Sequence, residues 1–486
     1  MTMQATDFSV APTLAPRPPR IAVVSGYMPY FEEVMPPTYR EEMASRAKAT
    51  ADRLDGTGAV LFTGLITDHE TGAAAGRRIR RFAPDVVVIA PTMAAPAGYQ
   101  WAALRDLGPV PVVILNIAGI DTVPPDYTAH SIVPNSVGVG CMMINNILRR
   151  HGRRAVVVSG HAGDGQTWAR ARAAIADAAV AGRLARARIG VLGTPLDGYI
   201  NVVCDPAALR AATGASLVEI GVEEFTDLWR AVPEADVAAL SAAYCGAVAV
   251  APDTAASTDF RDATRLALAL EGAVRRHALD GGTFNCRDAF AVGNPEIGVL
   301  GCLAVSHLTT HGFPFTCTGD VITAVAMILG KHLGGDSYYC ELDTPDYRAD
   351  AVLCANTGEG DFRQASGCGS CRIAVSGEES GRRSRGCAVG YDVADRDATA
   401  VAFTPRADAP GGHVIIAAEG RMEPPPPTGL KLPNLFFRFR GLPVGEGMSR
   451  WIAAGATHHA GISSGHVGDR LAAVAAHLGI GYEGVS

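Results

Sequence analysis

The chain is poor in charge, poor in aromatic residues and free of any long apolar run. Charged residues make up 19% of its 486 positions and aromatics 6%, and basic residues come only in short groups such as "SGRRSRG" at 380–386. With a net charge of −7 and an isoelectric point near 6.0, a nucleic-acid or membrane-surface partner is disfavoured. No apolar run reaches the ~18 residues an ordinary spanning helix needs. The opening "MTMQATDFSVAPTLAPRPPR" has neither the charged head nor the apolar core of a signal peptide. It reads as a Pro-rich, disordered tail over residues 1–18. The first 140 residues hold no cysteine, and most of the 11 that follow sit in apolar segments such as "AAYCGAVAV". Buried, reduced thiols are distributed this way; a secreted disulfide framework is not. A soluble cytoplasmic protein is expected. A P-loop and a well-placed dinucleotide fingerprint are also missing.

What is present is enough apolar residue, 48% of the chain, to bury more than one core. "IAVVSGY", "AVLFTGL", "VVVIAPT" and "PVVILNI" read as buried strands separated by helical patterns. Continuous apolar strands between helices mean a parallel sheet covered on both faces. The pattern restarts with "AVVVSGH", "ARIGVLG" and "SLVEIGV". Beyond about 336, short alternating segments such as "TAVAFTP", "HVIIAAEG" and "NLFFRFRG" take over, until a last helix at 468–479. The expected class is therefore α/β. Two Rossmann-like (flavodoxin-like) parallel-sheet domains, 19–155 and 156–335, precede a mostly β, barrel-like domain at 336–486.

Four clusters carry chemistry. In "FPFTCTGDVITAVAMILGKHL" (313–333) one acid, Asp320, stands at a strand-to-helix turn beside Thr318; Asp is also a favoured helix N-cap. "SYYCELDTPDYRAD" crowds Glu341, Asp343, Asp346 and Asp350 together, either ligands for a hard cation or an acidic surface loop. "WIAAGATHHAGISSGH" offers His458, His459 and His466. Adjacent residues of a strand face opposite ways, so only one of the pair is expected to line a site. Finally, Cys368, Cys371 and Cys387 are three legs of a zinc site without an evident fourth, or a plain loop.

Taken in order, these pieces resemble the L-fucose isomerase and L-arabinose isomerase superfamily over nearly the whole chain past residue 20. "VVVIAPTMAAPAGYQWAAL" is similar to the family's first-domain strand and loop, and "ARIGVLGTPLDGYINVVCDPAALRAATGASLVEIGVEEF" to its second-domain opening. "FNCRDAF", "CTGDVITAVAMIL", "YYCELDTPD" and "CANTGEG" follow the family's succession of Cys-Trp, Cys-Glu-Gly-Asp, a strand-borne acid and His-Cys-Gly. "LFFRFRGLPVGEGMSRWIAAGATHHAGISSGH" is like the arabinose-isomerase end with its paired histidines.

The resemblance implies an enzyme that interconverts aldose and ketose, or epimerises a sugar-like substrate, through a cis-enediol with Mn²⁺ or another divalent metal. It places Glu341 and His459 as metal ligands, with Glu341 also as the catalytic carboxylate and Asp320 as a second acid that swings in. Thr318, Asn356 and His458 would touch substrate. Thr318 stands where the family has its first metal-binding Glu, Asn356 where it often has His, and Arg287 where it has Trp. Glu359 or Asp361 is left as the replacement acid. By the same resemblance the chain assembles as a homotrimer or homohexamer, with Tyr27, Gln100 and Trp101 as lid residues over a neighbour's pocket. The lost Glu keeps two alternatives open: a lyase or hydrolase acting on a modified sugar or glycoside, and a catalytically inactive sugar-binding homologue.

Overall fold

The computed structural model describes residues 14–375 and 385–486. Most of the expected tail and the "SGEESGRRS" part of the long Gly- and Cys-rich loop lie outside the described residues. The chain forms two compact units, Arg17–Ala185 and Arg186–Ser486, the latter joined by residues 14–16.

In the first unit, β1 (Arg20–Gly26), β2 (Ala59–Ile66), β3 (Val86–Ile89), β4 (Val112–Ala118) and β5 (Ala155–His161) form one all-parallel sheet in the order β2-β1-β3-β4-β5. Alternate residues of the same strands feed two different cores. Ala22, Val24, Val87, Ile89, Val112 and Ile114 pack on one face, and Ile21, Val23, Val86, Val88, Val113 and Leu115 on the other. That is why these strands read as unbroken apolar runs. On the helix Val137–Arg150, Val137, Cys141, Ile144 and Leu148 are buried at helical spacing. Order begins earlier than the expected tail allows: Arg17 holds the buried Asp85 with both guanidinium nitrogens, at 2.7 and 2.8 Å.

The boundary expected near 155 is also displaced. Ala155–His161 pairs along its whole length with Val112–Ala118, so it is the fifth strand of this sheet and the unit runs to Ala185. A restarting strand–helix alternation looks the same whether it continues one sheet or founds another.

The second unit opens with β6 (Arg188–Leu192), β7 (Ser216–Glu219) and the two-residue β8 (Ala249–Val250), then β9 (Gly281–Phe284) and β10 (Phe315–Cys317). Strands β10-β9-β6-β7 form a parallel sheet. There follow β11 (Tyr338–Asp346), β12 (Ala351–Ala355), β13 (Arg372–Val375), β14 (Cys387–Gly390), β15 (Arg396–Pro405), β16 (His413–Glu423), β17 (Asn434–Phe439), β18 (His459–Ser464) and β19 (Gly481–Val485). The ring β15-β18-β11-β12-β17-β16 closes through pairing of β16 with β15, all antiparallel, with β19 added parallel on β16. Closure removes the unpaired edges of an open sheet. The architecture is thus α/β with two parallel sheets and a largely β barrel. The apolar helix Val321–Gly334 packs on β9 and on the barrel strands β15 and β18, so the segments before and after 335 share one compact unit.

In the last helix, Gly468–Leu478, burial pushes His477 down to about 4 from 6.5, and its Nε2 has no hydrogen-bond partner. The folded chain therefore binds fewer protons than the unfolded chain between about pH 6.5 and 4. Stability contributed by the neutral ring is complete above pH 6.5 and is lost as pH falls through that window, by about 2–3 kcal/mol. Denaturant unfolding of His477→Gln across pH 4–7 is expected to lack this part of the acid limb.

Candidate metal and proton-transfer site

Strand pairing assembles the site. In the antiparallel ladder of β11 and β18, Glu341 is the register partner of His459, so the two side chains emerge side by side on one face. Tyr339, two residues before Glu341, shares that face. His459 Nε2 stands 3.4 Å from Glu341 Oε1, and its ring lies 4.4 Å from that of Tyr339.

Behind His459 stands the turn that precedes the helix Val321–Gly334. Asp320 caps this helix, accepting the Thr323 N–H at 2.9 Å on one carboxylate oxygen. Its other oxygen accepts from His459 Nδ1 at 2.8 Å and from the Tyr339 hydroxyl at 3.4 Å. The carboxylate that caps the helix therefore also holds His459. Thr318 reaches the Tyr339 hydroxyl at 3.3 Å from a left-handed backbone, φ 62°, a conformation a β-branched residue rarely adopts. Gly319 follows at φ 80°, where a Cβ would come within 2.4 Å of the Pro195 nitrogen.

His458 joins the site, contrary to the alternation argument. β18 begins at His459, so His458 lies before the strand and is free of its pleat. The two imidazoles sit 3.8 Å apart, and the Asn201 amide holds His458 Nδ1 at 2.8 Å. Among the described residues, the group able to hold a metal ion is Glu341, His458 and His459, whose ligand atoms lie within 4.8 Å of one another. Glu341 is partly exposed and His458 exposed, while His459 and Asp320 are buried.

The local fields separate the titrating groups. The His459 hydrogen bond holds Glu341 below the usual carboxylate range, against a smaller effect of burial. Burial disfavours a charged His459, but the bonds to Asp320 and Glu341 outweigh it and raise its basicity. Burial, then the neighbouring His459, lower His458. The pair is thus biased towards one cationic and one neutral ring.

The other expected residues fall elsewhere. Asp346 accepts from the N–H groups of Arg348 and Ala349, and Asp350 from Val444 N–H, so the acidic cluster serves turns, with Asp343 exposed. His466 donates to the Gly420 carbonyl. Cys371 and Cys387, pushed up to about 12 by burial, remain thiols, and among the described residues they and Cys368 form no metal-holding group. Asn356 follows Ala355, which pairs with Glu341 across the ladder; its Oδ1 accepts from Thr357 N–H and its Nδ2 is buried without a partner. In the first unit Tyr27 and Gln100 are fully buried, and Trp101 stacks on His151.

The two replacement acids are resolved. Asp361 is committed: buried, it accepts from Lys331 Nζ at 2.5 Å and from Ser337 N–H at 3.0 Å. Glu359 is not. It accepts from the Cys317 thiol at 2.9 Å on one oxygen, the other has no partner, and burial pushes its carboxyl upward. With Cys286, Arg287, Cys302 and Cys317 it lines a cavity of about 30 Å³. Tyr339 and Arg287 were not singled out as site residues from sequence. Tyr339 was legible as the same-face neighbour of Glu341; Arg287 showed only as a departure from the family's Trp.

No protein-family model matches the chain, and no curated protein matches it. Among solved structures, one described as "a putative epimerase from Burkholderia cenocepacia J2315" is 18% identical and covers 43% of this chain and 77% of its own. Its TM-score is 0.17, too low for the likeness to carry an argument. No single helix among the described residues is long and apolar enough to cross a membrane.

Lys331→Met would leave the Asp361 carboxylate buried without its cation. Chemical denaturation is expected to show a loss of about 3–5 kcal/mol.

Proposed function

We propose that this chain is a divalent-metal-dependent enzyme that moves a proton between adjacent carbons of a sugar-like substrate, as in aldose–ketose isomerisation or epimerisation through a cis-enediol. The observation that carries the reading is the convergence of Glu341, His458 and His459, with Asp320 behind His459. The donor set fits the group the family resemblance implies. Two imidazoles and a carboxylate suit a divalent first-row ion, and a His whose second nitrogen is held by a carboxylate is the usual arrangement around a protein-bound metal.

Glu341, His458 and His459 would hold the ion. When bound, the ion supplies positive charge to substrate oxygens that become anionic along the reaction. Asp320 fixes the ring of His459 and keeps Nε2 turned towards Glu341. Glu341 is ionised and partly open to solvent, so it can take a proton from one carbon and return it to the next. Asn356, with its spare N–H, can hydrogen-bond a substrate hydroxyl. Thr318 cannot replace an acid, because its hydroxyl stays protonated near neutral pH. That one position favours a second reading, a lyase or hydrolase on the same scaffold.

The test is proton exchange. A panel of aldoses and ketoses is incubated with protein and Mn²⁺ in D₂O and followed by NMR. The proposal expects deuterium at the carbon next to the carbonyl of at least one sugar, with Glu341→Gln slower by about 10²-fold or more. Exchange that survives unchanged in Glu341→Gln, or product release without exchange, would contradict it.

A further inference from the structure

The cavity lined by Arg287, Cys286, Cys302, Cys317, Thr357 and Glu359 has no part in the proton transfer just described, yet it adjoins that machinery. Cys317 precedes Thr318 in the turn that ends at Asp320, and its carbonyl lies 3.4 Å from the Tyr339 hydroxyl. The charge of Arg287 acts on both Glu341 and Glu359, a smaller influence on each than those already named. Arg287 lines the cavity, and its charge is felt by the proposed metal group.

Two features of this cavity lack counterparts. Arg287 is only partly exposed, and its guanidinium has no hydrogen-bond or ion-pair partner among the described residues; only its backbone N–H is bonded, to Asn285. Glu359 is 2% exposed, and Oε2 has no partner. A guanidinium without a protein partner is open to an anion, and a buried carboxyl oxygen without a partner is costly. Both are met by a group that accepts from the guanidinium fork and can share a proton with the Glu359 carboxyl. A carboxylate does this, since its two oxygens match the fork. A hydroxymethyl group offers one oxygen and no charge. At about 30 Å³ the cavity holds roughly two waters, which suits a planar carboxylate better than a tetrahedral phosphate.

We infer that Arg287, with Glu359 in the cavity wall, binds a carboxylate carried by the substrate, so that the preferred substrates are sugar acids of the uronate type rather than neutral sugars. This rests on the reading of Glu341, His458 and His459 as a sugar site. It assigns Arg287 a binding role and no proton.

The experiment is calorimetric binding, in the presence of Mn²⁺, of matched pairs differing only at the terminal carbon: D-glucuronate with D-glucose, and D-galacturonate with D-galactose. Wild type is expected to bind the acid of at least one pair about tenfold or more tightly than its neutral partner. Arg287→Met is expected to lose that preference, binding the acid no more tightly than its neutral partner. Arg287→Lys, which keeps the charge without the fork, is expected to fall between them. It also supplies the comparison should the Met variant fail to fold, as judged by circular dichroism. Equal binding of acid and neutral partner by wild type overturns the inference and leaves the sugar-site reading standing. An acid preference that survives in both variants does the same. Binding of neither member of any pair overturns both.

Discussion

The register of one antiparallel pair, β11 against β18, is the constraint on which the site depends. It sets Glu341 opposite His459 and, two residues back, brings Tyr339 onto the same face. A one-residue slip would turn every side chain of the strand to the other face and dissolve the group. The slip is opposed from two sides. Tyr338, Cys340, Ala460 and Ile462 lie in the barrel core, and the closed ring leaves β11 and β18 no free edge along which to shift. The barrel therefore serves the site by holding two strands in one alignment.

The second support comes from the helix Val321–Gly334. Asp320 divides its oxygens between the helix end and His459, so helix formation and imidazole orientation use the same carboxylate. Reaching that position requires the turn Thr318–Gly319 to run through left-handed backbone at two successive residues. For Thr318 this costs on the order of 1–2 kcal/mol. The strain sits beside Tyr339 and the histidines, where packing from the helix and from Pro195 holds it. Around this frame the charges are kept apart: an ionised Glu341 is partly open to solvent, while Glu359 is buried and pushed towards its neutral form. Two carboxyls driven in opposite directions within one compact unit are a recurrent mark of functional sites.

Much of the fold was legible because buried parallel strands leave continuous apolar runs and barrel strands leave alternation. The run "AVVV" was legible as a strand but not as the fifth strand of the first sheet, because sheet membership is decided by pairing. Within the site, Glu341 and His459 could be singled out by type. Their contact could not, since it depends on register between strands 118 positions apart in sequence. The alternation argument misplaced His458 because it assumed that the strand began one residue earlier. Asp320 looked like a choice between cap and functional acid; in the structure it caps the helix and holds His459 with the same carboxylate. Glu359 and Asp361 are two residues apart and equally acidic; what separates them is Lys331, thirty positions away in sequence and buried against only one of them.

The most direct test of the account is the metal content of protein purified without chelator, supplied with Mn²⁺ and dialysed, measured by elemental mass spectrometry beside Glu341→Gln. The account predicts about one divalent ion per chain in the wild type, and loss of that ion from the variant while its circular dichroism is unchanged. A wild type that retains no metal after Mn²⁺ is supplied, or a variant that retains it in full, would contradict the assignment of Glu341, His458 and His459 as a metal site.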